Sequence, residues 1–83
     1  MRQAGGGEAV NNLMGFSEAL HNIKIGKRLA RSGWNGKGMW IYLVVPHDEF
    51  NAPYIMMKAA DGWHVPWLAS QTDLLAVDWE VVA

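Results

Sequence analysis

Phe16-Ser17-Glu18-Ala19-Leu20-His21-Asn22-Ile23-Lys24-Ile25-Gly26 reads as one short helix followed at once by its stop signal. Ala19, Leu20 and Ile23 recur at three- and four-residue spacing, which puts them on one helical face. Ser17 is expected to cap the free amides of the first turn, and Glu18 suits the positive end of the helix dipole. Gly26 accepts the left-handed backbone that ends such a helix. Beyond Gly26 the pattern becomes that of strands, so a single helix stands at the head of a β-rich domain.

The strands follow from composition and punctuation. Lys27 to Arg31 is a short strand, and Ser32-Gly33-Trp34-Asn35-Gly36-Lys37-Gly38 is a glycine-rich turn. Met39 to Val45 is β-branched and aromatic, which predicts a strand covered on both faces. Pro46 to Pro53 is a polar loop, and Tyr54 to Ala60 is the next strand. Asp61-Gly62 is a hairpin signal, after which Trp63 to Trp67 returns as a partner that Pro66 confines to an edge or a strand end. Ser70 to Ala76 is expected to make one helical turn capped by Ser70 or Thr72. Val77 to Val82 alternates, with Val77, Trp79 and Val81 on one face and Asp78 and Glu80 on the other. The predicted class is α+β, an N-terminal helix packed on a small antiparallel β-sheet, in one domain over residues 14–83. Residues 1–13 carry Gly5-Gly6-Gly7 without apolar periodicity and read as a flexible N-terminal arm.

Composition narrows the function. The chain has 83 residues, enough for one small domain, and at 51% hydrophobic and 18% charged it is globular in type. A net charge of −1 opposes wrapping of a nucleic acid polymer, and the absence of cysteine excludes disulfides and thiolate zinc sites. The longest apolar run, Met39 to Pro46, is far short of the roughly 20 residues of a membrane helix. A soluble intracellular domain with no membrane partner is therefore expected. A chain of this size buries only about 60% of its unfolded surface, yet this one carries 5 Trp and 5 Met. Such an apolar load points to a ligand pocket or a subunit interface, and a homo-oligomer is expected.

Charge is uneven. Lys24, Lys27, Arg28, Arg31 and Lys37 fall in one acid-free segment, whereas Met39 onward holds six acids and a single Lys. A phosphate-bearing ligand suits the basic segment, although a solvated helix end and strand edge has the same composition. In the turn that follows, Gly33 and Gly36 let backbone amides approach an anion. Trp34 offers a flat face to a base, and Asn35 offers a donor and an acceptor. The alternative for Trp34 is a hydrophobic plug over the sheet. Pro66-Trp67-Leu68-Ala69-Ser70-Gln71-Thr72-Asp73 sets an aromatic before a helix start with free amides. The competing reading there is a capped turn with Trp67 in the core. No Gly-x-Ser-x-Gly or HExxH pattern is present, and His21, His47 and His64 lack metal-ligand spacing. No metal or cofactor is expected.

These residues also carry a resemblance. Phe16-Ser17-Glu18-Ala19-Leu20, Gly26-Lys27-Arg28-Leu29-Ala30-Arg31 and Gly33-Trp34-Asn35-Gly36 resemble the opening of the small phage proteins known as Thoeris anti-defence protein two. Pro53-Tyr54-Ile55, Asp61-Gly62, Pro66 to Ala76 and Asp78-Trp79 are similar to that family's second half. The resemblance runs from Phe16 to Val82 and leaves residues 1–13 without a counterpart. It implies a non-enzymatic sponge acting in the cytoplasm of an infected bacterial host. Its ligand would be the glycocyclic ADP-ribose made by the TIR enzyme of Thoeris defence. It also implies a homotetramer with pockets between subunits, and binding of CBASS cyclic dinucleotides by some members. Carried onto this chain, Trp34 would stack on adenine and Asn35 would bond the base or ribose. Gly33, Gly36 and Arg28 or Arg31 would meet the pyrophosphate, while Trp67, Gln71, Thr72 and Asp73 close the pocket. Two other classes remain: an enzyme hydrolysing the signal with Asp73 or Asp78 as base, and a structural phage protein with no nucleotide ligand.

Overall fold

A computed structural model describes residues 13–34 and 37–82. Helix α1 (Phe16–Lys24) is followed by strands β1 (Arg28–Arg31), β2 (Trp40–Val44), β3 (Tyr54–Lys58) and β4 (His64–Pro66), a short helix α2 (Gln71–Leu75) and strand β5 (Trp79–Val82). The strands form one sheet in the order β4-β3-β2-β1-β5, and every neighbouring pair is antiparallel. The α+β class and the helix-on-sheet arrangement agree with the sequence. The expected arm, apart from Leu13, lies outside the described residues, as do Asn35 and Gly36 of the turn.

The apolar face of α1 fixes the core. Ala19 and Ile23 are fully buried against Leu29 of β1, Ile41 of β2 and Trp79 of β5. Register explains why these residues meet: Leu29 lies across from Ile41 on one side and Val81 on the other, while Arg31 lies across from Trp79. The helix stops at Gly26, whose φ of +95° is the left-handed backbone expected there. Its start differs from expectation. Gly15, not Ser17, occupies the N-cap, and no side chain caps the first turn. The cause is tertiary: Met14 exchanges two backbone hydrogen bonds with Trp79, of 2.8 and 3.0 Å, so the chain is extended up to Gly15 and turns helical at Phe16.

Two further expectations are corrected. Strand β2 is covered on one face only. Ile41 and Leu43 point to the core, whereas Trp40, Tyr42 and Val44 are half-buried on a face that bears no helix. Among the described residues one helix is long enough to cover a sheet face, and it lies on the other side. In the last segment Trp79 is fully buried, but Val77 and Val81, placed on the same face by the alternation, are 75% and 41% exposed. The other elements follow their signals. Gly62 has φ +95° in the hairpin turn, where the Asp61 carboxylate accepts from the Trp63 amide. Strand β4, with Pro66, is an edge. Ser70 caps α2 through a capping box with Asp73: the Ser70 hydroxyl accepts from the Asp73 amide, and the Asp73 carboxylate accepts from the Ser70 amide.

Ile41 sits at the centre of the sheet with no solvent exposure. Ile41→Ala should lower unfolding free energy by about 2–5 kcal/mol, as large-to-small core changes do. A urea titration measures it, and a loss under about 1 kcal/mol would mean that the site collapses around the smaller side chain.

Candidate functional site

Strand β5 and the residue before it set the site, delivering Trp79 inward and Asp78 beside the turn that follows β1. Among the described residues, Arg31 is the only cation in a salt bridge, and it holds two acids. Its Nη1 donates to Asp73 Oδ1 at 2.9 Å and its Nε donates to Asp78 Oδ1 at 2.8 Å. Asp78 Oδ2 also accepts from the Gly33 amide at 2.8 Å and, more weakly, from the Ser32 hydroxyl at 3.4 Å. The Ser32 amide donates to the Asp78 carbonyl, and the Trp34 amide to the Arg31 carbonyl. One carboxylate thus shapes the first half of the glycine-rich turn. A Cβ at position 33 would stand 2.8 Å from Asp78 Oδ2, so a larger residue there would displace that carboxylate.

Trp34 leaves this turn to pack edge-on against Trp79, with ring centroids 5.4 Å apart, and its indole N–H makes a long hydrogen bond of 3.4 Å to Asp73. The side chains of Arg31, Asp73 and Asp78 are 17%, 13% and 23% exposed, so their mutual attraction is only partly screened. Burial pushes the Asp73 carboxyl up. The bonds from Arg31, Ser70 and Trp34 outweigh that and hold it below its ordinary value. The Arg31 guanidinium, helped by the Gly33 amide, lowers Asp78 despite partial burial, and the two acids in turn raise Arg31.

The residues expected to bind ligand divide into groups. Gly33, Trp34, Arg31 and Asp73 come together in this network. An open cleft of about 320 Å³ lies alongside, lined by Ala30, Arg31, Ser32, Trp34, Lys37 and Trp40 among others. Trp67 lies next to the network on the core side, 6.0 Å from both Phe16 and Trp79, centroid to centroid. Gln71 and Thr72 are exposed on α2, where Gln71 borders a dent with Leu74 and Leu75. Arg28 lies outside the Arg31 network: strand alternation puts it on the opposite sheet face, where its guanidinium lies over Trp40, a residue that also lines this cleft. Both proposed alternatives for Trp34 and Trp67, plug and core residue, match contacts seen here. The expected site omitted Asp78. The sequence signals it only through alternation next to Trp79, and its pairing with Arg31 depends on the β1–β5 register.

A family model described as a Thoeris anti-defense 2-like domain matches residues 14–82, which include every described residue of this network. The chain belongs to the Thoeris anti-defense 2-like family. It is 38% identical over 85 residues to a protein named Thoeris anti-defense 2 from Bacillus phage SP01, across 84% of this chain and 96% of that one. The Thoeris anti-defense 2-like match starts at Met14, the residue whose backbone pairs with Trp79. None of the described helices is long and apolar enough to cross a membrane.

Because both carboxyls titrate below their usual value, their stabilisation is complete above about pH 4 and is lost as pH falls through the lower folded values. Thermal midpoints measured by circular dichroism should therefore fall most steeply below about pH 4. Asp78→Asn should cost about 1–3 kcal/mol at pH 7 and flatten that acid limb. An acid limb of the same slope in the variant would separate Asp78 from the effect.

Proposed function

We propose that this protein is a phage anti-defence sponge. It binds the glycocyclic ADP-ribose signal of the Thoeris TIR enzyme in the host cytoplasm and withholds it from its effector without cleaving it. Family membership supports the anti-Thoeris role, and the curated relative carries that role in its name. The observation that carries the binding reading is the cleft beside Trp34. It brings an indole, the Lys37 ammonium and a turn held by Asp78 to one opening. A base and a phosphate-bearing sugar call for that combination. Asn35 and Gly36 complete the same turn in sequence and belong to the proposed contacts.

The two acids favour capture over hydrolysis. A general base works best with a pKa near the operating pH. Asp73 and Asp78 are shifted the other way, and their oxygens already accept from Arg31, Trp34, Ser70, Ser32 and Gly33. In this reading Arg31 and Asp73 shape the cleft, with Trp34 and Lys37 facing the ligand. The cleft of one chain is open and at the low end of ligand-pocket volumes. Enclosure by a second copy, within the proposed homotetramer, supplies the remaining wall. Trp67, Gln71 and Thr72, beside exposed Leu68 and Leu75, are the proposed closing contacts. Cyclic dinucleotides are a second proposed ligand class.

A sponge works by mass action, so its dissociation constant must lie well below the signal concentration that fires the effector. A nanomolar constant is about −12 kcal/mol, within reach of a rigid, enclosed site with stacking and charge-assisted hydrogen bonds. The test is to mix protein in excess with glycocyclic ADP-ribose, filter, heat the retained protein and identify what is released by mass spectrometry. Intact signal appearing only after denaturation is the expected result. A cleaved product would make the protein an enzyme, and signal in the filtrate would overturn the reading. Trp34→Ala should weaken binding at least tenfold by calorimetry while light scattering shows an unchanged oligomer; unchanged affinity would remove Trp34 from the site.

A further inference from the structure

The glycine-rich turn joins β1 to β2, yet that hairpin is sparsely registered. The two strands share one paired position, Leu29 with Ile41, whereas β5 holds β1 over four positions and β3 holds β2 over five. The turn is gripped instead from the two strands that flank the hairpin. At its entry the Gly33 amide donates to Asp78 Oδ2 at 2.8 Å, from the β5 side. At its exit the Gly38 carbonyl accepts from Lys58 Nζ at 2.8 Å, from the β3 side. A carboxylate on an amide and an ammonium on a carbonyl are both charge-assisted bonds, stronger than the neutral kind. Trp34 and Lys37, the two side chains that face the proposed ligand, lie between these two points.

Lys58 reaches Gly38 by a defined route. Register sets it across from Trp40, two residues beyond Gly38, and its Nζ stands 4.7 Å from the centroid of that indole. The cation–π contact narrows the rotamers open to a long side chain. Among the described residues no acid draws the ammonium away, since both salt bridges belong to Arg31. Gly38 has φ +76°, a left-handed backbone that other residues avoid, and the Lys58 bond falls on the carbonyl of that same residue. Gly38 and Trp40 line the Trp34 cleft, and Lys58 is not part of that lining. Its effect on a ligand therefore runs through the wall that it holds. A turn fixed at both ends before a ligand arrives is spared the cost of being ordered on binding. A turn fixed only at Gly33 leaves Lys37 to be ordered at that moment.

We propose that Lys58 is a positioning residue for the Trp34 turn, pinning its exit at the Gly38 carbonyl as Asp78 pins its entry at the Gly33 amide. The inference rests on the sponge reading for its ligand, but not for the state of the turn. Two variants of the full chain test it. Lys58→Met keeps an apolar stem beside Trp40 and removes the donor, while Lys58→Arg keeps donor and charge. In the free protein, amide relaxation by NMR should show lower order at Lys37 and Gly38 in Lys58→Met, recovered in Lys58→Arg. Calorimetry with glycocyclic ADP-ribose should show affinity weakened at least fivefold in Lys58→Met and regained to within about twofold in Lys58→Arg. Thermal midpoints should stay close to that of the parent chain. The deficit should persist at about 1 M salt, where the screening length is about 3 Å and a distant charge no longer attracts the ligand. Unchanged order at Lys37 and Gly38 would overturn the proposal whatever the ligand does. So would a deficit that vanishes in salt, or an arginine variant no better than methionine. A parent chain that fails to retain the signal, with order lost in Lys58→Met, would sink the sponge and leave the clamp standing.

Discussion

Everything in this small domain is arranged around one buried indole. Trp79 has no solvent exposure, so its N–H needs an acceptor inside the protein, and the carbonyl of Asp73 provides it at 2.9 Å. Phe16 from α1, Trp34 from the turn and Trp67 from the segment before α2 pack around the ring within 6.0 Å, centroid to centroid. The backbone of the same residue pairs with Met14 on one side and faces Arg31 on the other. Four parts of the chain are thereby held to one point. The site network inherits its geometry from this arrangement, because Asp73 and Asp78 flank the segment that Trp79 anchors.

Charge has been partitioned rather than pooled. The basic segment looks like one anion-seeking run in sequence, but strand alternation sends Arg28 and Arg31 to opposite sheet faces. Arg31 meets two carboxylates and becomes a structural tie, while Arg28 meets Trp40 and keeps its charge available. Proximity in sequence therefore overstated their cooperation. Lys58, distant in sequence and isolated among acids, is the cation that β-pairing brings to Arg28's neighbourhood.

The legible parts of the fold were those controlled locally. Gly26, Asp61-Gly62, Pro66 and the Ser70 cap each act over a few residues, and each appears where its chemistry places it. Ser17 failed as a cap because a long-range bridge, Met14 to Trp79, fixed the helix entry two residues earlier. The apolar run of β2 suggested two covered faces, yet composition cannot count the helices that will cover them. In the site, Trp34 and Asp73 stood out by residue type and context. The partner that organises them, Asp78, depends on a register between β1 and β5 that no local pattern encodes.

The topology also sets an order of events during folding. Strand β1 comes early in the chain but lies between β2 and β5, and β5 follows every other described element in sequence. The acceptor strand, the helix and the turn must therefore wait, with Leu29 and Ile23 uncovered, until Trp79 arrives. Contacts between the two ends carry a loop-closure cost that local hairpins do not. The β2–β3–β4 meander can assemble from local pairings, but the core closes only once β5 has docked on β1. The core thus closes in one step, when β5 docks, and not strand by strand.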